Sequence, residues 1–319
     1  MNKPSGSVAV LSGGVGGAKL VLGLSRVLSD GQLTVIANTG DDFEHLGLAI
    51  SPDLDTLTYT LAGEVNTETG WGLRDESWRF MEALAQLGGE TWFRLGDRDL
   101  ATHVERTRRL AAGERLTEIT RDFCRRLGVA TRILPMSDQA VRTRVSTDRG
   151  PLDFQHYFVR EQAAPEVIGL DYVGASDSSP SDEVLEVLRK ADLSAIIIAP
   201  SNPYLSIDPI LAIPAIKEAI RGTNAPVVAV SPIVHGIAIK GPTAKIMSEL
   251  GLTASADNIA RHYDELLDGF ILDSTDGNMV AEIETSALKV TSCDTIMRSL
   301  EDKIRVANAT LEFADSLSR

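Results

Sequence analysis

Two cysteines in 319 residues, Cys124 and Cys293, provide no disulfide framework. With no C-x-x-C pair and no histidine beside them they signal no zinc cluster either, and both read as buried small hydrophobes. The five histidines, His45, His103, His156, His235 and His262, are scattered without H-x-x-x-H spacing. Basic side chains are in deficit: 31 Lys and Arg stand against 45 Asp and Glu, a formal charge of −14. Phosphate-rich surfaces demand a basic face, so neither nucleic acid nor an anionic membrane is an expected partner. Long apolar runs are also missing. Leu193–Pro200 is too short to span a bilayer, and Ala225–Ile239 is interrupted by Pro232 and His235. Near the start, Lys3 precedes an apolar stretch broken by Gly13, Gly14, Gly16, Gly17 and Lys19, which is not a signal-peptide pattern. A cytoplasmic location is the expectation.

What remains is an ordinary globular composition, with 43% apolar residues and mean hydropathy near zero. Val8–Leu11 is a short buried-strand run, Gly17–Leu28 has helical apolar spacing, and Leu33–Ala37 is a second β-branched run. Strand, glycine turn, helix and strand make a βαβ unit, which commits the region to a parallel sheet covered on both faces. Further strands are expected at Ala195–Ala199, Val227–Val230 and Phe270–Leu272, separated by helices around Asp182–Lys190, Asp208–Arg221 and Thr243–Leu250. The pattern reads as a Rossmann-like, doubly wound α/β fold with a mainly parallel sheet. From Ser77 to Leu127 strand-type runs are absent and helix follows helix. The expectation is one α/β domain over residues 1–319 with a helical insertion over about 64–130. Arg132–Val173 alternates in short pieces, including Phe154, His156 and Phe158, as antiparallel edge strands do. Asp294–Leu317 reads as one amphipathic helix capped by Asp294.

Five constellations carry chemistry. Ser12-Gly13-Gly14-Val15-Gly16-Gly17-Ala18-Lys19 follows the first strand directly. Its four glycines let backbone approach a ligand, and the helix start behind them offers N–H groups to phosphate. It is not a Walker A loop, and Lys19 replaces the last glycine of G-x-G-x-x-G. Asn38-Thr39-Gly40-Asp41-Asp42 ends the second strand, where ligands bind in open α/β sheets; a capped loop with solvated carboxylates is the plainer reading. In Ser51-Pro52-Asp53-Leu54-Asp55-Thr56, Asp53 and Asp55 suit a magnesium ion held with substrate phosphates, whereas N-capping would need only one acid. Arg94 and Arg98 flank Leu95-Gly96-Asp97, either as a solvated turn or as anion contacts. Ala199-Pro200-Ser201-Asn202-Pro203 ends the most apolar strand, with Ser201 and Asn202 suited to a base or sugar and a plain turn equally open.

Taken together these segments resemble the 2-phospho-L-lactate transferase family. The stretches that carry the likeness are LSGGVGGAKL at Leu11–Leu20, NTGDD at Asn38–Asp42, SPDLDT at Ser51–Thr56 and LGDRDLATH at Leu95–His103. LPMSD at Leu134–Asp138, APSNPYLSIDPI at Ala199–Ile210 and SPIVHGIAIKGP at Ser231–Pro242 follow in order. The resemblance implies a magnesium-dependent, homodimeric transferase of coenzyme F-420 biosynthesis. It would move a phosphorylated three-carbon acid (2-phospholactate, phosphoenolpyruvate or 3-phosphoglycerate) from a guanosine diphosphate-linked donor. The acceptor would be the ribityl hydroxyl of the deazaflavin alcohol 7,8-didemethyl-8-hydroxy-5-deazariboflavin (Fo), with GMP released. On that reading Gly13, Gly14, Gly16, Gly17 and Lys19 cradle phosphate. Asp53 and Asp55 hold metal or the attacking hydroxyl, Asp55 and Arg94 contact the deazaflavin, and Ser201 and Asn202 meet the nucleotide. Arg94 stands where Lys would bring the same charge. The rival expectation is a non-catalytic nucleotide-sugar-binding regulator of the gluconeogenesis-factor type, which shares the glycine loop. A plain NAD-dependent oxidoreductase fails at Lys19.

Overall fold

The computed structural model describes residues 6–239 and 241–317; Lys3 and Lys240 lie outside the described residues. Seven strands form one parallel sheet: β1 (Ser7–Ser12), β2 (Leu33–Ala37), β3 (Arg132–Pro135), β4 (Leu193–Ile198), β5 (Val227–Val230), β6 (Gly269–Asp273) and β7 (Lys289–Cys293). Their spatial order is β7-β6-β5-β4-β1-β2-β3, every neighbouring pair parallel. Period-2 alternation explains why the runs are apolar throughout. In β1, Val8 and Val10 enter one core with Val35 and Ile197, while Ala9 and Leu11 enter the other with Ile36 and Ile196. Each such Val, Leu or Ile, fully buried, contributes about 1.5–3 kcal/mol.

Helix α1 (Gly14–Val27) leaves the end of β1, and α2 (Pro52–Ala62) starts with a proline in its first turn, the position where a missing N–H costs nothing. Between α2 and β3 run α3 (Arg79–Gln86), α4 (Asp99–Ala111) and α5 (Leu116–Arg126), with no strand of the central sheet among them. A short hairpin, Phe43–His45 with Leu48–Ile50, joins these helices through a small cluster of Ile50, Met81 and Leu95. The last described helix, Leu300–Leu317, lies against α1 so closely that a Cβ on Gly23 would stand 2.1 Å from the Lys303 carbonyl oxygen.

Several local expectations are corrected. Arg132–Pro135 is not an antiparallel edge strand; it pairs in parallel with β2. The antiparallel sheet is a separate three-stranded unit of Arg142–Thr147, Gly150–Asp153 and Val167–Val173. Phe154, His156 and Phe158 do not continue it: Phe154 and Phe158 stack with centroids 5.4 Å apart across a wide helical turn at His156–Arg160. The spacing of four that joins them is helical. The final helix starts at Leu300, not Asp294. There the Asp302 carboxylate accepts from the Arg298 and Ser299 N–H groups while Ser299 Oγ accepts from Asp302 N, a reciprocal cap that outcompetes Asp294. Asp208–Arg221 is two helices, Asp208–Leu211 and Pro214–Arg221, because Pro214 cannot continue the first. Strand β7 was not foreseen, since Lys289-Val290-Thr291-Ser292-Cys293 is too polar to read as a strand. Cys124 is buried and Cys293 half-buried, both free, and burial pushes each thiol up to about 11. Among the described residues no helix is long and apolar enough to cross a membrane.

Candidate active site

The strand order reverses between β1 and β4, and the crevice at the carboxyl ends of these strands is where an open α/β sheet takes ligands. The Ser12–Gly13 and Ala199–Asn202 segments meet there. Ser201 Oγ donates to the Gly13 carbonyl (2.7 Å) and accepts from Gly13 N (3.3 Å), stapling the two loops. The glycines are needed for this closeness. A Cβ on Gly16 would lie 2.4 Å from the Pro200 carbonyl oxygen, and one on Gly17 2.3 Å from Ser12 Oγ. Gly13 would meet Asp53 Oδ2 at 2.4 Å, and Gly14 has φ +63°. Lys19 is half-buried on the second turn of α1.

Asp53 does not face outward. Its Oδ1 accepts from Gly14 N (2.7 Å), capping α1, and its Oδ2 accepts from Asn38 Nδ2 (2.9 Å). Asn38, wholly buried, also donates to Leu205 O (3.1 Å) and accepts from Gly40 N (2.7 Å). Asp55 lies two residues along α2 but turns elsewhere. Both its oxygens accept from Arg106 of α4, Nη1 to Oδ2 at 3.1 Å and Nη2 to Oδ1. His103 Nδ1 stands 3.8 Å from Asp55 Oδ2, and its Nε2 3.4 Å from Asp99 Oδ2. Tyr59 donates to Asp99 Oδ1 (2.6 Å). The structure therefore brings Asp53 to the glycine loop and Asp55 to the inserted helices.

Asp41 and Asp42 join these two in one cluster of buried carboxylates, Asp42 accepting from Ser51 Oγ at 2.7 Å. Burial pushes Asp41 well above the usual carboxylate range, with Asp53 and Asp42 adding repulsion. It pushes Asp42 up to about 7 against the pull of Arg142, and Asp53 to about 6 against its bonds to Asn38 and Gly14. Asp55 is raised by burial too, opposed by Arg106 and His103. Asp41 Oδ1 and Asp42 Oδ1 are buried with no partner. Unpartnered hard oxygens that resist ionisation are what a divalent cation relieves, so Asp41 and Asp42 have the chemistry of magnesium ligands, whereas both oxygens of Asp53 are already held by Gly14 and Asn38. Asp55, Asp99 and His103 also bring ligand atoms within 4.8 Å of one another. Arg106 already covers both Asp55 oxygens, and Tyr59 with His103 covers Asp99, so a cation at that trio has to displace those contacts.

The remaining expected contacts are dispersed. Arg94 is exposed, its guanidinium 3.9 Å from the Trp78 ring centroid. Arg98 is tied to Glu64 (3.3 Å) and the Arg74 carbonyl (2.8 Å), as in a solvated turn. Asn202 spends Oδ1 on the N–H groups of Tyr204 and Leu205 (3.0 and 3.1 Å) and keeps a buried Nδ2 without a partner.

A profile described as 2-phospho-L-lactate transferase CofD matches residues 8–311 of the chain. The chain belongs to this family. It is 40% identical over 316 residues to a phosphoenolpyruvate transferase of Streptomyces griseus, covering 97% of the chain and 99% of that protein. It is 37% identical over 308 residues to a 2-phospho-L-lactate transferase of Methanosarcina acetivorans, with 97% and 99% covered. A solved structure of a UPF0052 family protein from Bacillus halodurans superposes with TM-score 0.60 at 17% identity, over 98% of this chain and 99% of that one, which is a likeness of fold. Membership of the CofD family makes the chain a transferase, and the regulator reading is not favoured. The residues that sequence reading missed are Asn38 as a brace, and Tyr59, Asp99, His103 and Arg106. The signal for the last three was present: positions 99, 103 and 106 share one face of a helix.

Proposed function

We propose that the chain transfers a phosphorylated three-carbon acid from its guanosine diphosphate-linked donor to the ribityl hydroxyl of Fo, releasing GMP, in coenzyme F-420 biosynthesis. The observation that carries this reading is the cluster of buried carboxylates beside the glycine loop at the sheet's reversal point, in a chain matched over 97% of its length by relatives named for phosphoenolpyruvate and 2-phospholactate transfer. The hydroxyl oxygen bonds to the phosphorus bearing the acid, the bond from that phosphorus to the GMP oxygen breaks, and its electron pair leaves with GMP. Such transfers depend on alignment and charge neutralisation more than on a strong nucleophile. Gly13, Gly14, Gly16 and Gly17 shape the loop that takes the diphosphate, with the start of α1 and Lys19 supplying positive potential. Asp55 accepts the hydrogen bond of the incoming hydroxyl and receives its proton. Arg94 on Trp78 lies on the acceptor side, and Ser201 and Asn202 on the donor side. Magnesium, when bound, would neutralise the diphosphate oxygens; Asp41 and Asp42 would hold it beside Asp53, leaving Asp55 to the incoming hydroxyl. The working form is a homodimer, which light scattering reads directly.

The test is to incubate the protein with Fo and each of the three guanosine donors, with magnesium and with excess chelator, and weigh the products. One phosphodiester of Fo with the three-carbon acid, formed with GMP and lost in chelator, is expected. Saturable UDP-sugar binding without GMP release overturns the reading, and full turnover in chelator removes the metal from it.

A further inference from the structure

Arg106 is a guanidinium 2% exposed, reaching from the inserted helix α4 to a carboxylate on α2 that is 8% exposed. It covers both Asp55 oxygens, and its Nη1 also lies 3.3 Å from the Ala49 carbonyl and 3.4 Å from His103 Nδ1. Behind it, His103 abuts Asp99, and Asp99 is held by Tyr59 and by its own N–H on Glu76 (2.7 Å). Each member of this arrangement is held by another side chain or backbone atom. Of the four buried carboxylates at the crevice, Asp55 alone has a two-pronged cation partner. We propose that Arg106 is a positioning residue that acts through Asp55, fixing the plane of its carboxylate so that one remaining lone pair meets the acceptor hydroxyl. The fork leaves each oxygen a second lone pair, and a two-point hold removes the side-chain rotation that a one-point contact would leave. The helical insertion thereby becomes part of the reaction apparatus.

This rests on the reaction reading above, and the experiment separates the two. Arg106→Lys keeps the charge and loses the fork, so it isolates alignment. Its kcat is expected to fall about 100-fold, the usual scale for an ångström of misplacement, with the KM for Fo changing less than threefold. Asp55→Asn falls further, and Asp55→Asn/Arg106→Lys falls no further than Asp55→Asn alone, because residues acting as one unit are not additive. A lysine variant with wild-type kcat, or losses that multiply in the double variant, overturns the proposal. Arg106→Gln, which exposes a bare buried charge and can fail to fold, is replaced in the series by Asp55→Asn/Arg106→Gln. If the wild-type chain makes no product, the reaction reading falls. The same variant series is then read by calorimetric Fo binding, where coupled losses support the brace and additive ones overturn it.

Discussion

Gly16→Ala tests how tightly the crevice is built. The added methyl carbon would sit 2.4 Å from the Pro200 carbonyl oxygen, short of ordinary contact by about 1 Å. Backbone cannot rotate away as a side-chain tip can, so α1 and the β4 loop must part. Overpacking of this kind costs about 1–3 kcal/mol. With an unfolding entropy near 2.1 cal/mol/K per residue, a loss of about 2 kcal/mol lowers the melting midpoint by roughly 3 °C in a chain this long. The same displacement moves the loop proposed to take the diphosphate and is expected to reduce kcat about 100-fold. Gly31→Ala is the control. Gly31 has φ +81° with nothing within 4 Å of its Cβ position, so alanine there adds backbone strain of about 1–2 kcal/mol without touching the crevice. Scanning calorimetry and product assays on both variants should give similar midpoints and rates about two orders apart. Equal rates would refute the claim that loop spacing governs turnover.

The raised acids set a pH dependence. Because Asp42 and Asp53 bind protons at about 7 and 6 in the folded chain, above the usual value when unfolded, stability falls as pH climbs from about 4 towards 7 and levels beyond, by an amount of the order of a few kcal/mol. Magnesium should recover the midpoint near pH 8 and do little near pH 5, since protonated acids bind no cation; a midpoint that rises with pH in chelator contradicts this. Asp42→Asn should raise the magnesium concentration needed for half-maximal rate, whereas Asp55→Asn should lower turnover without changing retention of the metal, as equilibrium dialysis would tell. Asn38→Ala removes three buried hydrogen bonds and leaves Asp53 underheld, a loss of about 3 kcal/mol by urea unfolding. Arg94→Ala loses only an exposed cation–aromatic contact, about 0.5–1 kcal/mol, so calorimetry should show a near-native midpoint while the KM for Fo rises.

Strands buried on both faces are legible because burial forces apolar runs: Leu33–Ala37 and Val227–Val230 match their expected bounds. Edge strand β7 was illegible for the converse reason, since one side of it faces solvent and its residues are polar. The glycine loop could be recognised from spacing, but not what each glycine avoids, which depends on Pro200, Ser201 and Asp53 far along the chain. Adjacent numbering also misled. Asp53 and Asp55, close in sequence, were read as a pair; on α2 they stand about 200° apart around the axis, so they meet different partners. The helix face that Arg106 shares with Asp99 and His103 is legible, but not that Asp55 is its partner, because only tertiary packing of α4 on the hairpin brings the two together.

The staple between Ser201 and Gly13 joins residues 188 positions apart. A chain emerging from the ribosome has its first loop, α1 and Asp53 early, yet that loop keeps an unassembled wall until the segment around Ser201–Ile207 has been synthesised. Nascent fragments ending before it should therefore lack the nucleotide binding proposed for this loop, and the onset of that binding would mark the moment at which the two halves of the sheet have joined.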